Sequence, residues 1–92
     1  MADFRVVLTD RAIADVDRLP VRVRLQVIHV VASLARDPLP PHPGSKKLKG
    51  YRPPLYRLRA GDFLVLYRVI GTTITVLRVI DRRDLDRTLG TL

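Results

Sequence analysis

Six cations and no acid lie between Lys46 and Arg59, in a segment that also carries Tyr51. Arginine presents a planar, permanently charged fork that pairs with phosphate through two hydrogen bonds, and lysine adds a point charge. Several such groups held together can bind an RNA backbone and stabilise the charge that builds on phosphorus during strand cleavage. No metal is required if the RNA's own 2′-hydroxyl is the nucleophile. The segment therefore predicts a polyanion ligand, either RNA or an acidic partner protein.

The charge is spread unevenly along the chain. The net charge is +8, with six cations against five acids in residues 1–44 and eleven against four in residues 45–92. This asymmetry suggests that one face of the protein meets something anionic. The alternative is a generally arginine-rich composition, in which arginine replaces lysine on solvated surfaces.

Other kinds of site find little support. The chain has no cysteine and no glutamate, its nine aspartates are scattered, and it shows neither a phosphate-binding glycine loop nor a nucleophile elbow. We interpret His29 as structural and His42 as a surface-loop residue. No metal and no cofactor are expected. No apolar run approaches the roughly 20 residues of a membrane span, and we expect a cytoplasmic protein without a membrane partner.

The periodicity predicts one α+β domain over residues 1–92, in the order βααβββ. A short strand over residues 4–8 leads into a helical hairpin whose second helix begins after Pro20 and runs to Arg36. A proline-rich connector follows over residues 37–44. Glycine-containing turns then separate three strands over residues 55–60, 63–70 and 74–80, and a short polar helix or tail ends the chain. The helices should cover one face of a mostly antiparallel, four-stranded sheet.

Strand alternation predicts which side chains share a face. Tyr56, Leu58 and Ala60 should face the helices, with Arg57 and Arg59 on the opposite side. Burying unpaired arginines would cost several kcal/mol each, so the arginine-bearing faces of neighbouring strands should coincide. The result would be an open face that carries Arg57, Arg59, Arg68 and Arg78 among Leu64, Leu66 and Ile70, with Arg78 on the same side as Ile74 and Val76. Among the tyrosines, Tyr51 is the candidate for base stacking, although turn packing explains it equally well.

A family resemblance covers nearly the whole chain. The pattern Tyr-Arg-x-Arg-x-Gly-Asp-Phe-x-x-x-Tyr over residues 56–67 is preceded by Lys47-Leu48-Lys49-Gly50 and followed by Asp81-Arg82-Arg83-Asp84. This arrangement resembles the RelE/ParE superfamily of toxins from type II toxin–antitoxin modules, and is closest to the RelE branch. The opening strand, the helical hairpin and the Arg-Leu-Pro step between its helices match as well. The resemblance implies a microbial-RNase-like fold.

The resemblance also implies roles for individual residues. Members of the RelE branch cut mRNA in the ribosomal A site, and their catalytic cations fall on Arg57, Arg59 and Arg82 of this sequence. Contacts to RNA would come from Lys46, Lys47, Lys49, Arg52, Arg68, Arg78 and Arg83. A cognate acidic antitoxin would neutralise the protein by binding Leu64 and Leu66, and operator DNA would be reached only through that antitoxin.

Two positions depart from the family pattern. Leu64 stands where an arginine is usual, and Asp86 lies in a segment that often ends with tyrosine or histidine. One transition-state donor is worth about 3 kcal/mol, so these changes bear on catalysis, and Leu64→Arg is expected to raise nuclease activity. Two alternatives therefore stay open: a ParE-like gyrase inhibitor without nuclease activity, or a catalytically degenerate homologue that only binds an antitoxin.

Overall fold

The computed structural model describes residues 4–38 and 44–92. His42 therefore lies outside the described residues. The helices are α1 (Asp10–Asp17), α2 (Val21–Ser33) and α3 (Leu85–Leu89), with a single 3-10 turn at Arg82–Asp84 before α3. The strands are β1 (Arg5–Leu8), β2 (Ser45–Leu48), β3 (Leu55–Ala60), β4 (Phe63–Ile70) and β5 (Thr73–Asp81).

The strands form one sheet in the order β1-β5-β4-β3-β2, with β1 parallel to β5 and the other neighbours antiparallel. The α+β class and the mostly antiparallel sheet are confirmed. The sheet has five strands rather than the four predicted, because Ser45–Leu48 pairs with β3 as an edge strand. Its sequence, Ser-Lys-Lys-Leu, lacks a strand's usual apolar alternation, and lysines on an edge strand discourage pairing with other chains.

Local contacts fix both ends of α1. The Thr9 hydroxyl accepts a hydrogen bond from the backbone N–H of Ala12 at 3.1 Å and donates one to the carbonyl of Leu77 at 2.9 Å. At the other end, the Arg24 guanidinium donates to the carbonyls of Val16, Asp17 and Leu19 at 3.1–3.3 Å. Arg24 thus donates to the carbonyls of Asp17 and Leu19 near the helix end, where carbonyls lack intrahelical partners, and adds a second donor to the Val16 carbonyl, which also accepts the backbone N–H of Leu19.

The main core lies between the helical hairpin and the sheet. Tyr56 is buried there, as the alternation predicted, and it stacks on the buried Tyr67 with the ring centroids 5.4 Å apart. The Tyr67 hydroxyl donates to the Pro38 carbonyl at 2.6 Å and lies 2.7 Å from the Ser45 hydroxyl. Burial raises the pKa of Tyr67 above its ordinary value.

A second, smaller core covers the face that the sequence predicted to be open. Leu85 and Leu89 of α3, together with Leu48, pack on Leu64, Leu66 and Ile80. Leu64 is 2% exposed and Leu66 is fully buried. The prediction of an open face around these two leucines is wrong, because α3 covers the apolar patch and removes it from water. Binding of an antitoxin by Leu64 and Leu66 stays a prediction. Across residues 4–38 and 44–92, no helix combines the length and apolarity needed to cross a membrane.

Candidate functional site: a basic cavity beside the C-terminal helix

The α3 helix covers only part of the sheet face on which it packs, and the edge formed by β2 and β3 stays open. In the strand register, Arg57 lies opposite Lys46 of β2 on one side and Leu66 of β4 on the other. Directly opposed residues in antiparallel strands project from the same face of the sheet. Lys46 and Arg57 are therefore neighbours on this face, beside the leucines that α3 covers.

An open cavity of about 730 Å³ lies at this edge. It is lined by six cations and three leucines: Lys46, Lys47, Lys49, Arg57, Arg82, Arg83, Leu48, Leu64 and Leu85. Arg57 comes from β3, whereas Arg82 begins the turn that follows β5. The antiparallel β3-β4-β5 meander brings these distant parts of the sequence together. The cavity thus unites two of the three predicted catalytic residues with four of the predicted RNA-binding cations.

Two arginines in the cavity are available to a ligand. Among residues 4–38 and 44–92, no hydrogen-bond or ion-pair partner holds the guanidinium of Arg57 or Arg82. The backbone N–H of Arg82 donates to the Asp62 carbonyl at 3.0 Å, which fixes the start of the turn. The leucines of the lining reduce the local solvation, and charge–phosphate contacts are stronger in such surroundings than in bulk water.

Arg59 and Arg83 occupy different surroundings. Arg59 is exposed on the same face of β3 as Arg57 but outside the cavity lining, and its Nε donates to the Gly61 carbonyl at 3.1 Å. Arg83 forms a two-pronged, solvent-exposed pair with Asp81 at 3.0 Å. The hydrogen bonds from Arg83 lower the pKa of Asp81, and Asp81 in turn raises the pKa of Arg83. An exposed pair of this kind is weak, so Arg83 remains able to contact a phosphate.

A second cavity of about 760 Å³ adjoins the first and is lined by the consecutive residues Lys47 to Arg52. Lys47, Leu48 and Lys49 line both cavities, so the basic surface continues from Arg57 to the β2–β3 loop. The predicted RNA-binding residue Arg52 lies in this second cavity, next to Tyr51. The two cavities form one basic surface, which we call the β2–β3 groove.

Arg78 is not part of the groove. Its guanidinium is bound by the Asp15 carboxylate of α1, at 2.7 Å from Nε and 3.1 Å from a terminal nitrogen. A β-bulge shifts the register between β4 and β5 at the step from Leu66 to Tyr67. Arg78 lies opposite Leu66, whereas Val76 lies opposite Tyr67. Arg78 therefore does not share a face with Ile74 and Val76, contrary to the alternation argument, because a bulge changes the side-chain parity beyond it.

Arg68 also lies outside both cavities. It is half-buried opposite Leu55 and Thr75, and its Nε has no hydrogen-bond partner within the described residues.

Sequence reasoning missed the role of Asp15. The available signal was an acid flanked at helical spacing by the buried residues Ala12, Val16 and Leu19.

Solved structures share this fold. The RelE–RelB complex from Pyrococcus horikoshii contains a chain that is 27% identical, with a TM-score of 0.75 over 89% of this chain and 97% of that one. For the RelBE2 toxin–antitoxin complex from Mycobacterium tuberculosis, the identity is 30% and the TM-score 0.73, over 87% and 99% of the two chains. The RelB–RelE complex from Methanococcus jannaschii, at 23% identity and a TM-score of 0.72 over 89% and 96%, supports the fold alone. None of the curated proteins matches the sequence.

A family match covers most of the chain. The family described as "ParE toxin of type II toxin-antitoxin system" matches residues 6–86, which include the helical hairpin, the β2–β3 groove and the start of α3. The relatives from Pyrococcus and Mycobacterium are matched over nearly their full length. The chain belongs to the RelE/ParE superfamily and is a toxin of a type II toxin–antitoxin system.

Proposed function

We propose that this toxin inhibits translation by binding mRNA on the ribosome in the β2–β3 groove and cleaving it through attack of the 2′-hydroxyl. One observation carries the proposal: Arg57 and Arg82, distant in sequence and both without a partner among the described residues, line the same cavity as three lysines. A dense group of cations without a counter-charge in its lining is suited to a phosphodiester backbone.

The cleavage step needs charge stabilisation above all. The 2′-oxygen attacks phosphorus, the bond to the 5′-oxygen breaks, and a 2′,3′-cyclic phosphate forms. Arg57 and Arg59 would bind the phosphate oxygens as negative charge builds on them, and Arg82 would stabilise or protonate the leaving oxygen. The described residues that line the cavity are cations and leucines, so the 2′-hydroxyl proton would pass to water rather than to a carboxylate.

The remaining cations of the groove would contact RNA without doing chemistry. Lys46, Lys47, Lys49, Arg52 and Arg83 would bind phosphates of the mRNA or ribosomal RNA and hold the strand across Arg57. The same positive surface would attract a cognate acidic antitoxin. The Pyrococcus and Mycobacterium relatives were solved as complexes with antitoxins, which supports a partner of this kind.

A second candidate is inhibition of DNA gyrase without nuclease activity. The family match favours it, because the matching family is described as the ParE toxin of a type II toxin-antitoxin system. Leu64 favours it too, since a buried leucine cannot donate to phosphate where the RelE branch usually has an arginine. A degenerate toxin that only binds its antitoxin is the third possibility.

One pair of assays separates these functions. The purified toxin is added to translating ribosomes on an mRNA whose cleavage positions are mapped, and in parallel to a gyrase supercoiling reaction. We expect ribosome-dependent cleavage that disappears in the double variant Arg57→Ala/Arg59→Ala. The control is Arg22→Ala, which removes an exposed cation of α2 outside the groove. Intact mRNA together with blocked supercoiling would establish the gyrase function instead, and no effect in either assay would indicate the degenerate toxin.

A further inference from the structure

Tyr51 differs from the other two tyrosines in its surroundings. Tyr56 and Tyr67 stack on each other inside the main core, whereas Tyr51 belongs to neither hydrophobic cluster. It is half-buried in the loop between β2 and β3, and it lines the cavity formed by residues Lys47 to Arg52. The requirement for a packed core therefore does not explain an aromatic residue at this position.

The loop around Tyr51 is open rather than packed. A Cβ built at Gly50 would meet no atom of the described residues within 4 Å apart from its chain neighbours, and Lys49, Gly50, Arg52 and Pro53 are all exposed. Gly50 has a φ of +89°, a conformation that favours glycine, and the two prolines that follow Arg52 restrict the backbone on the C-terminal side of Tyr51. An aromatic side chain held on a restricted backbone loses little entropy when it contacts a ligand.

The position of Tyr51 relative to the cations indicates what that ligand is. Lys47 and Lys49 line both the Tyr51 cavity and the Arg57 cavity, so a strand whose phosphate lies at Arg57 can continue over the lysines to Tyr51. Single-stranded nucleic acid is bound by this combination of a basic groove and an aromatic side chain on which a base stacks. Unpaired bases are also the part of RNA that proteins recognise by stacking.

We propose that Tyr51 forms a nucleobase-stacking subsite for a nucleotide of single-stranded RNA whose backbone is held by Lys47, Lys49 and Arg57. The subsite rests on the proposed RNA binding in the β2–β3 groove. It adds a stacking contact to a base, whereas the other contacts are to phosphates. Because every base has an aromatic face, the subsite increases affinity for unpaired strands without selecting one sequence.

The test compares two labelled oligomers of equal length by fluorescence anisotropy. One is a single-stranded 2′-O-methyl RNA, which carries bases but cannot undergo 2′-hydroxyl attack, and the other is an abasic strand with the same number of phosphates. The proteins are the wild type, Tyr51→Leu, Tyr51→Phe and Arg57→Gln. Circular dichroism spectra check that each variant is folded.

We expect Tyr51→Leu to weaken binding of the base-bearing strand roughly tenfold and to leave the abasic strand unchanged. Tyr51→Phe keeps the ring and should bind as the wild type does, whereas Arg57→Gln should weaken both strands. If Tyr51→Leu binds the base-bearing strand as tightly as the wild type does, the subsite is overturned and the proposed RNA binding is left intact. If the wild type binds neither strand, the RNA-binding proposal itself fails.

Discussion

Asp15 of α1 binds Arg78 of β5 with both carboxylate oxygens, at 2.7 and 3.1 Å, and also accepts the backbone N–H of Val79 at 2.9 Å. The β1 strand pairs with β5 only as far as Val76. Beyond that point α1 lies along β5, and Asp15 supplies the acceptor that a neighbouring strand would otherwise provide. The contact therefore joins the helical hairpin to the sheet edge and removes Arg78 from the basic surface.

Asp15→Ala should destabilise the fold by roughly 3 kcal/mol. The change leaves a buried N–H and a largely buried guanidinium without their acceptor. Urea denaturation followed by circular dichroism measures the loss. Asp17→Ala is the matched control, because Asp17 is exposed on the same helix, and an equal loss in both variants would contradict the account of Asp15.

Arg24→Met should destabilise the protein by about 1–3 kcal/mol. The substitution keeps an aliphatic side chain but removes the donors to three carbonyls at the end of α1. Thermal unfolding of Arg24→Met and Arg22→Met gives the comparison, since Arg22 is exposed on the same helix. Similar melting temperatures for the two variants would show that the Arg24 contacts do not stabilise the hairpin.

Leu64→Arg is now expected to destabilise the protein rather than to raise its activity. Leu64 lies beneath α3 and is 2% exposed, so an arginine there must either bury its charge, at a cost of roughly 3 kcal/mol or more, or displace α3. Chemical denaturation provides the measurement. Leu25→Arg introduces the same charge at a position that is 62% exposed and should change stability by less than about 0.5 kcal/mol. A stable Leu64→Arg variant with increased cleavage would contradict this prediction and support a catalytic role for an arginine at position 64.

Arg83→Gln should raise the pKa of Asp81 towards the ordinary aspartate value. In the folded protein the hydrogen bonds from Arg83 depress that pKa below its unfolded value. A depressed carboxylate pKa stabilises the fold above the unfolded pKa, and this stabilisation is lost as the pH falls through the folded pKa. The variant should therefore lose stability at neutral pH but change little in strong acid. Titration of the Asp81 carboxyl by NMR checks the shift, with Arg87→Gln as the control, because Arg87 pairs with Asp84.

Lys46→Gln should weaken binding of single-stranded RNA uniformly across sequences and make it less dependent on salt. If Lys46 contacts one phosphate, the slope of log affinity against log salt should fall in magnitude by about 0.7. Binding isotherms at several salt concentrations give this slope. Arg22→Gln removes the same charge from the exposed side of α2 and should leave the slope unchanged; an equal fall in both variants would mean that net charge, rather than the groove, governs binding.

Much of the molecule could be predicted from residue order because the signals are local. Proline at the start of α2, glycine in the turns between strands, and the β-branched and apolar residues of β4 and β5 are each signals that depend on neighbouring residues. The edge strand β2 was missed because its pairing depends on β3 rather than on its own apolar pattern. The burial of Leu64 and Leu66 was missed because the helix that covers them, α3, has only five residues and lies about 20 residues further along the chain.

The sequence by itself determined the α+β class, the excess of positive charge in the second half and the placement of Arg57 and Arg59 on the face opposite the helical hairpin. Only the tertiary structure decided which cations work together. It brought Arg57 and Arg82 into one cavity, paired Arg78 with Asp15 and buried Leu64 under α3. The physical reason is that alternation assigns a side chain to one side of its own strand, whereas a bulge, a capping carboxylate or a covering helix depends on contacts between residues that are distant in sequence.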